Sequence, residues 1–199
     1  VSLFRGGENG IFYIKDGQPA GHFKPALPDG KPMFIVSIAI DAKNNILWAG
    51  DNEQGLYKIN YKITGNNITH SVAKRIHTGE GLTDGHIRSL FLDSKAVLWC
   101  GTRFGGVFQI WEEQGKLHVQ NLTEKAQLSC ARVTDIREEN DDAIWLATCG
   151  GVYRYQRHTG EWQAFTAANG LMDSEIFTTY VLPATKTCWA LSTSGVTAL

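Results

Sequence analysis

Short apolar runs recur along this chain, each closed by a polar or glycine-containing turn. No stretch keeps the 3.6-residue apolar period of an amphipathic helix, so the pattern predicts strands throughout. Five stretches align on one another: SLFRGGENGIFYI, ILWAGDNEQGLYKI, VLWCGTRFGGVFQI, AIWLATCGGVYRY and TCWALSTSGVTAL. Their aromatic anchors are Phe4, Trp48, Trp99, Trp145 and Trp189, spaced 44, 51, 46 and 44 residues apart. Six or seven residues after each anchor stands a glycine followed by an aliphatic residue: Gly10, Gly55, Gly106, Gly151 and Gly195.

A second β-type run precedes four of the anchors (IVSIAIDAKNN, IRSLFLDSKAV, VTDIREENDDA, IFTTYVLPATK) and forms a predicted hairpin with the anchor strand. A loop leads into that run, as GEGLTDGHI before Arg88 and AANGLMDSEI before Phe177, with KAQLSCARV as a degenerate copy. One further strand per unit, such as EWQAF, completes a set of four. Four short antiparallel strands in a repeat of about 40 to 50 residues are the pattern of a β-propeller blade. The predicted fold class is therefore all-β, a propeller segment of three complete and two partial blades with 18 strands. It begins at a second strand and ends at a third, and residues 1–199 are expected to be one segment of a larger multi-domain protein.

The 51-residue unit carries its excess between Gly55 and Trp99, expected as a longer outer hairpin around KITGNNITHS. The anchor strand is apolar on both faces, as a sheet covered on both sides requires. Trp48, Trp99, Trp145 and Trp189, with Gly55, Gly106 and Gly151, are read as structural: tryptophan bridges blade to blade, and glycine relieves the turn of Cβ clashes. Terminal blades of such an open arc are expected to expose apolar faces that neighbouring blades would cover.

With 199 residues, 43% hydrophobic, 20% charged and a net charge of -1, the chain has material for a sizeable core and no basic stripe for nucleic acid. It has no apolar run of about 18 residues, so no membrane contact by this segment is expected. There is no G-x-S-x-G elbow, H-E-x-x-H pair or Walker loop, and no cofactor or metal site is predicted. The acidic run Glu138, Glu139, Asn140, Asp141 and Asp142 is read as a solvated hairpin turn. The four cysteines show no C-x-x-C spacing. Cys130 opens the inner strand of one blade and Cys149 closes its hairpin partner, so antiparallel pairing makes a disulfide between them conceivable; buried free thiols are the alternative.

The stretches GLTDGHIRSLFLDSKAVLWCGTRFGGVFQI (81–110) and AIWLATCGGVYRYQRHTGEWQAFTAANGLMD (143–173) resemble the two-component regulator propeller repeat, and the resemblance covers essentially the whole chain. It departs at Gln127, Leu128, Ser129 and Cys130, where the family has Gly-Leu-Ser-Asp, and at WALSTSG in the last copy. The resemblance implies an extracytoplasmic or periplasmic sensor region of a bacterial receptor anchored in the inner membrane. Its output would be a cytoplasmic histidine kinase, often hybrid, or a diguanylate cyclase. The segment itself is then expected to be non-catalytic, with a small-molecule or oligosaccharide ligand, neighbouring blades and domains of the same chain as partners, and a homodimer allowed.

By analogy with other propellers, the loops entering the inner strands and those joining second to third strands form the recognition face. They carry the candidate ligand residues Asp84, His86, Asp173, Glu175, Asp51, Asn52, Glu53, Arg103 and Phe104. An arginine forks onto a carboxylate and an aromatic ring covers a sugar face, which suits an oligosaccharide or an acidic sugar. Each of these residues also has a plain structural reading, with Asp84 and Asp173 as turn caps. Two other functions stay open at this point. One is a propeller lyase or glycosidase built on His86, Arg103 and Asp173; the other is a protein-interaction scaffold.

Overall fold

A computed structural model describes residues 2–8, 10–24, 33–65, 67–182 and 184–199. Its described residues form five antiparallel sheets, each with its strands in chain order. The first holds β1 (Ser2–Gly7), β2 (Gly10–Lys15) and β3 (Gln18–Phe23). The second holds β4 (Ile35–Asp41), β5 (Ile46–Asp51), β6 (Leu56–Thr64) and β7 (Asn67–Ile76). The third holds β8 (Ile87–Leu92), β9 (Leu98–Thr102), β10 (Val107–Glu113) and β11 (Lys116–Asn121). The fourth holds β12 (Val133–Glu139), β13 (Ala143–Thr148), β14 (Gly151–Gln156) and β15 (Trp162–Phe165). The fifth holds β16 (Ile176–Leu182), β17 (Thr187–Ser192) and β18 (Gly195–Ala198). The first sheet lacks the inner strand of the complete sheets and the fifth lacks the outer one, as the repeat predicts.

The core lies between sheets. Trp48 packs with Leu98 and Cys100 of the next sheet, Trp99 with Ile144 and Leu146, and Trp145 with Cys188 and Ala190. These indoles are 6%, 0% and 2% exposed, whereas Trp189 on the last sheet is 41% exposed. Burying an indole of about 200 Å² contributes at most about 5 kcal/mol, so each sheet depends on its neighbour for a large share of its stability. Gly55 and Gly151 turn the chain after the anchor strand at φ of +92° and +126°. At both positions a Cβ would strike the carbonyl oxygen ending the outer strand, that of Ile76 or Phe165. Only glycine satisfies both demands.

The long unit places its extra residues where the spacing predicts. β6 and β7 run nine and ten residues, and Lys15 Nζ donates to the Gly65 carbonyl at 3.4 Å at the hairpin's tip.

Each inner strand also carries one repeated irregularity. Pairing with the second strand slips between Ile35 and Ser37, Ile87 and Ser89, Val133 and Asp135, and Ile176 and Thr178. The skipped residues are Val36, Arg88, Thr134 and Phe177. The residue after the slip can reach the next blade: Ser37 Oγ accepts the Leu90 N–H at 2.9 Å, and Asp135 accepts the Thr179 N–H at 2.9 Å. A strand edge that would otherwise be left open is satisfied in this way.

The acidic run differs from its predicted solvated state. Glu139 is fully buried, accepting the Trp145 Nε1–H at 2.7 Å and a fork from Arg154 at 2.9 and 3.1 Å. Asp93 accepts the Trp99 Nε1–H at 2.8 Å in the same way one blade earlier. Arg157 lies between Asp93 at 2.9 Å and Glu138 at 2.6 Å and ties the two hairpin ends together. Carboxylates at this end are drawn in because the anchor indoles and the arginines present buried N–H donors that need acceptors.

Candidate ligand-binding face

In each blade the start of the inner strand pairs with the end of the second strand, as Ile87 does with Thr102 and Val133 with Thr148. The loop before the inner strand and the turn after the second strand therefore meet at one end of every sheet. A short polar side chain organises each turn there. Thr102 and Thr148 Oγ1 accept the N–H of Gly105 and Gly150 at 3.0 Å, and Asp51 accepts those of Glu53 and Gln54 at 2.8 Å.

In the third blade the structure gathers four of the predicted residues. Buried Asp84 accepts the His86 Nδ1 contact at 2.7 Å and the Phe104 backbone N–H at 2.7 Å. Burial would raise this carboxyl's pKa, but the His86 ring and the backbone N–H groups of His86 and Phe104 outweigh it and hold it below the ordinary value. The Arg103 N–H donates to the His86 carbonyl at 2.9 Å, which locks turn to loop. Phe104, held by its backbone, is 62% exposed. Its ring meets the His86 ring edge-on at 5.3 Å and lies 5.0 Å from the Arg103 guanidinium.

Asn52 and Glu53 stand on the equivalent turn of the second blade. The Gly55 N–H donates to the Gly85 carbonyl at 2.9 Å, which sets this turn against the loop that carries His86. Asp51 itself is buried and serves the turn, also accepting the Phe34 N–H at 2.6 Å.

Asp173 and Glu175 lie two blades further on. Asp173 accepts the hydroxyls of Thr193 at 2.8 Å and Ser194 at 3.2 Å; these and the Glu175 N–H lower its pKa. Asp173 thus caps its own turn and does not join His86 and Arg103, so the set considered for hydrolytic chemistry is divided between blades. Glu175 pairs with Arg132 at 2.6 Å.

Arg132 was not among the predicted residues. It occupies the repeat position of His86 and Glu175, immediately before the inner strand, so the alignment of repeats holds the signal that identifies it. The same alignment puts Cys130 where Asp84 and Asp173 stand. Cys130 and Cys149 form a disulfide with Cα atoms 5.5 Å apart, and Cys149 lies on the turn equivalent to those that Asp84 and Asp173 reach by hydrogen bonds in their own blades. A covalent link in one blade thus does the work of a carboxylate in two others. Cys100 and Cys188 are free and buried, and burial pushes the Cys188 thiol up to about 12. Among the described residues no group of three His, Cys, Asp or Glu side chains is arranged to hold a metal ion.

No protein-family model matches the chain, and no curated protein sequence matches it. Solved structures do. The extracellular domain of BT3049 from B. thetaiotaomicron, assigned to a hybrid two-component system, superposes at a TM-score of 0.77 with 21% identity, over 99% of this chain and 26% of that one. The WD40 β-propeller domain of Doa1 superposes at 0.68 with 11% identity, over 99% of this chain and 59% of that one. The chain is an arc of a β-propeller. A Bacteroides uniformis protein assigned as a 6-phosphogluconolactonase superposes at 0.63 with 13% identity, over 95% of this chain and 60% of that one. This arc spans about a quarter of the BT3049 domain. No helix among the described residues is long and apolar enough to cross a membrane.

Proposed function

We propose that this chain is the ligand-sensing propeller region of an extracytoplasmic bacterial receptor of the histidine-kinase or hybrid two-component type, non-catalytic in itself. Its ligand class is a carbohydrate. The observation that carries the reading is the exposed Phe104 ring, fixed from behind by buried Asp84 and flanked by His86 and Arg103. Phe104, His86 and Arg103 lie outside the buried cores between sheets, and together they offer an aromatic platform with polar donors at its edge, which suits a sugar ring. The structural likeness to extracellular sensor domains supports the compartment, as does a disulfide, which persists in oxidising surroundings. The receptor as a whole is anchored in the inner membrane in this reading. Binding across neighbouring blades favours one arrangement of the propeller over another, and so biases the cytoplasmic output between two states.

A thermal-shift and calorimetric screen of this chain against oligosaccharides tests the proposal. At least one sugar is expected to raise the unfolding midpoint, by about 2.7 kcal/mol of stabilisation at 100 times Kd. Phe104→Ala should abolish that response and leave the midpoint of the free chain in place. No response to any sugar, or an equal response from Phe104→Ala, overturns it.

A further inference from the structure

Four inner strands skip one residue at the same position, and bulges of this kind re-aim a side chain beside functional sites. Thr134 uses the position to donate from Oγ1 to the Ile176 carbonyl at 2.7 Å, and Val36 and Phe177 fill it with apolar groups. Arg88 is different. Its side chain is half-buried, its Nε is buried with no hydrogen-bond acceptor, and it forms no ion pair among the described residues. A guanidinium stays charged at any ordinary pH, and a buried donor without an acceptor costs about 1–3 kcal/mol. Nε itself is enclosed, so an acceptor from outside the chain would have to meet this guanidinium through its Nη groups.

Two further arginines stand at this end of the sheets, Arg103 and Arg132. His86 lies two residues before it, and Arg103 is tied by its backbone to His86. Arg132, at the same end of the next blade, also has a buried Nε without an acceptor and engages Glu175 through Nη2 only. The nearest acid in sequence, Asp84, is fully used by His86 and Phe104. Glu175 answers Arg132, and the charges of Arg88 and Arg103 are left without a carboxylate.

We propose that Arg88, together with Arg132, forms an oxyanion subsite on this face, so that the saccharide it takes carries a carboxylate or sulfate group. The inference rests on the sugar-binding reading above and adds the charge of the ligand. The planar fork of arginine matches either oxyanion with two parallel N–H donors.

Calorimetry of the chain against a neutral, a uronate-containing and a sulfated disaccharide, with inorganic sulfate as a separate probe, tests it. Arg88→Val copies the residue of the second blade and removes the guanidinium with its unmet donor, so its unfolding midpoint should equal or exceed that of the parent. Arg88→Lys keeps the charge and loses the fork. The expected result is binding of an acidic disaccharide that weakens at least tenfold in Arg88→Val, and to a lesser degree in Arg88→Lys and with added salt. Preference between the uronate and the sulfated sugar names the oxyanion. If neutral sugars bind as tightly and Arg88→Val changes nothing, the anion subsite is wrong and the sugar-sensing reading stands. If no saccharide binds but sulfate raises the midpoint in an Arg88-dependent way, the subsite stands and the sugar reading fails. No Arg88-dependent response to any of the four probes removes the subsite.

Discussion

Asp84 shows how much one side chain does on this face. Its two oxygens hold the loop that carries His86 and the turn that carries Phe104, and its pKa is lowered as a result. A depressed carboxylate contributes stability above the unfolded pKa, and that contribution is lost as pH falls through the lower folded value. Asp84→Ala is therefore expected to cost about 1–3 kcal/mol at pH 7. In urea denaturation the gap between parent and variant should close as the pH is taken below the ordinary value of 3.8. A gap that persisted unchanged into strong acid would show that the carboxylate's charge contributes nothing. The aspartate was legible from the repeat. That its bonds go to the Phe104 turn was not, because they span 20 residues.

At the scale of the strand and hairpin, the two ends of a blade behave differently. The end opposite the candidate face is bound by Arg157, whose side chain is 8% exposed between Asp93 at 3% and Glu138 at 14%. Arg157→Ala would leave two carboxylates buried together, and denaturation should show a loss of about 3–5 kcal/mol. Lys74, paired with Glu80 on an exposed edge, is the comparison: Lys74→Ala should change stability by less than about 1 kcal/mol. If the two variants prove alike, the Arg157 bridge is no firmer than a surface pair. Runs of charge such as Glu138 to Asp142 look solvated in sequence because nothing local shows that Trp145 and Arg154 will stand over Glu139.

For the molecule as a whole, the last sheet is the informative one. Its inner-facing residues Val181, Cys188 and Ala190 pack on the fourth blade. Its other face presents Tyr180 opposite Trp189 and Leu191 opposite Val196, exposed by 65%, 41%, 41% and 53%. In three earlier blades the equivalent indole is covered by the following sheet, so this face fits another blade of the same repeat. Residue 199 corresponds to residue 155 one 44-residue repeat earlier, so a chain lengthened at Leu199 by a second copy of residues 156–199 continues the register. Slower hydrogen exchange in β16–β18 and a higher unfolding midpoint are expected of it. Unchanged exchange there, or self-association of the original chain by sedimentation that protects Trp189, would assign the face to a different occupant.

By itself the sequence determined the blade: four strands to a unit, the anchor tryptophan, the glycine turn and the long hairpin. Each of these follows from spacing within one repeat, where side-chain alternation and turn chemistry are local. The tertiary structure decided what depends on one blade meeting the next, or on loops closing over the turn. It joined Cys130 to Cys149, buried Glu139, brought Arg157 to Asp93 across 64 residues and left Arg88 without an acceptor. Whether a polar group is solvated, capped or unmet depends on what the fold sets against it, and that neighbour is chosen by packing between sheets.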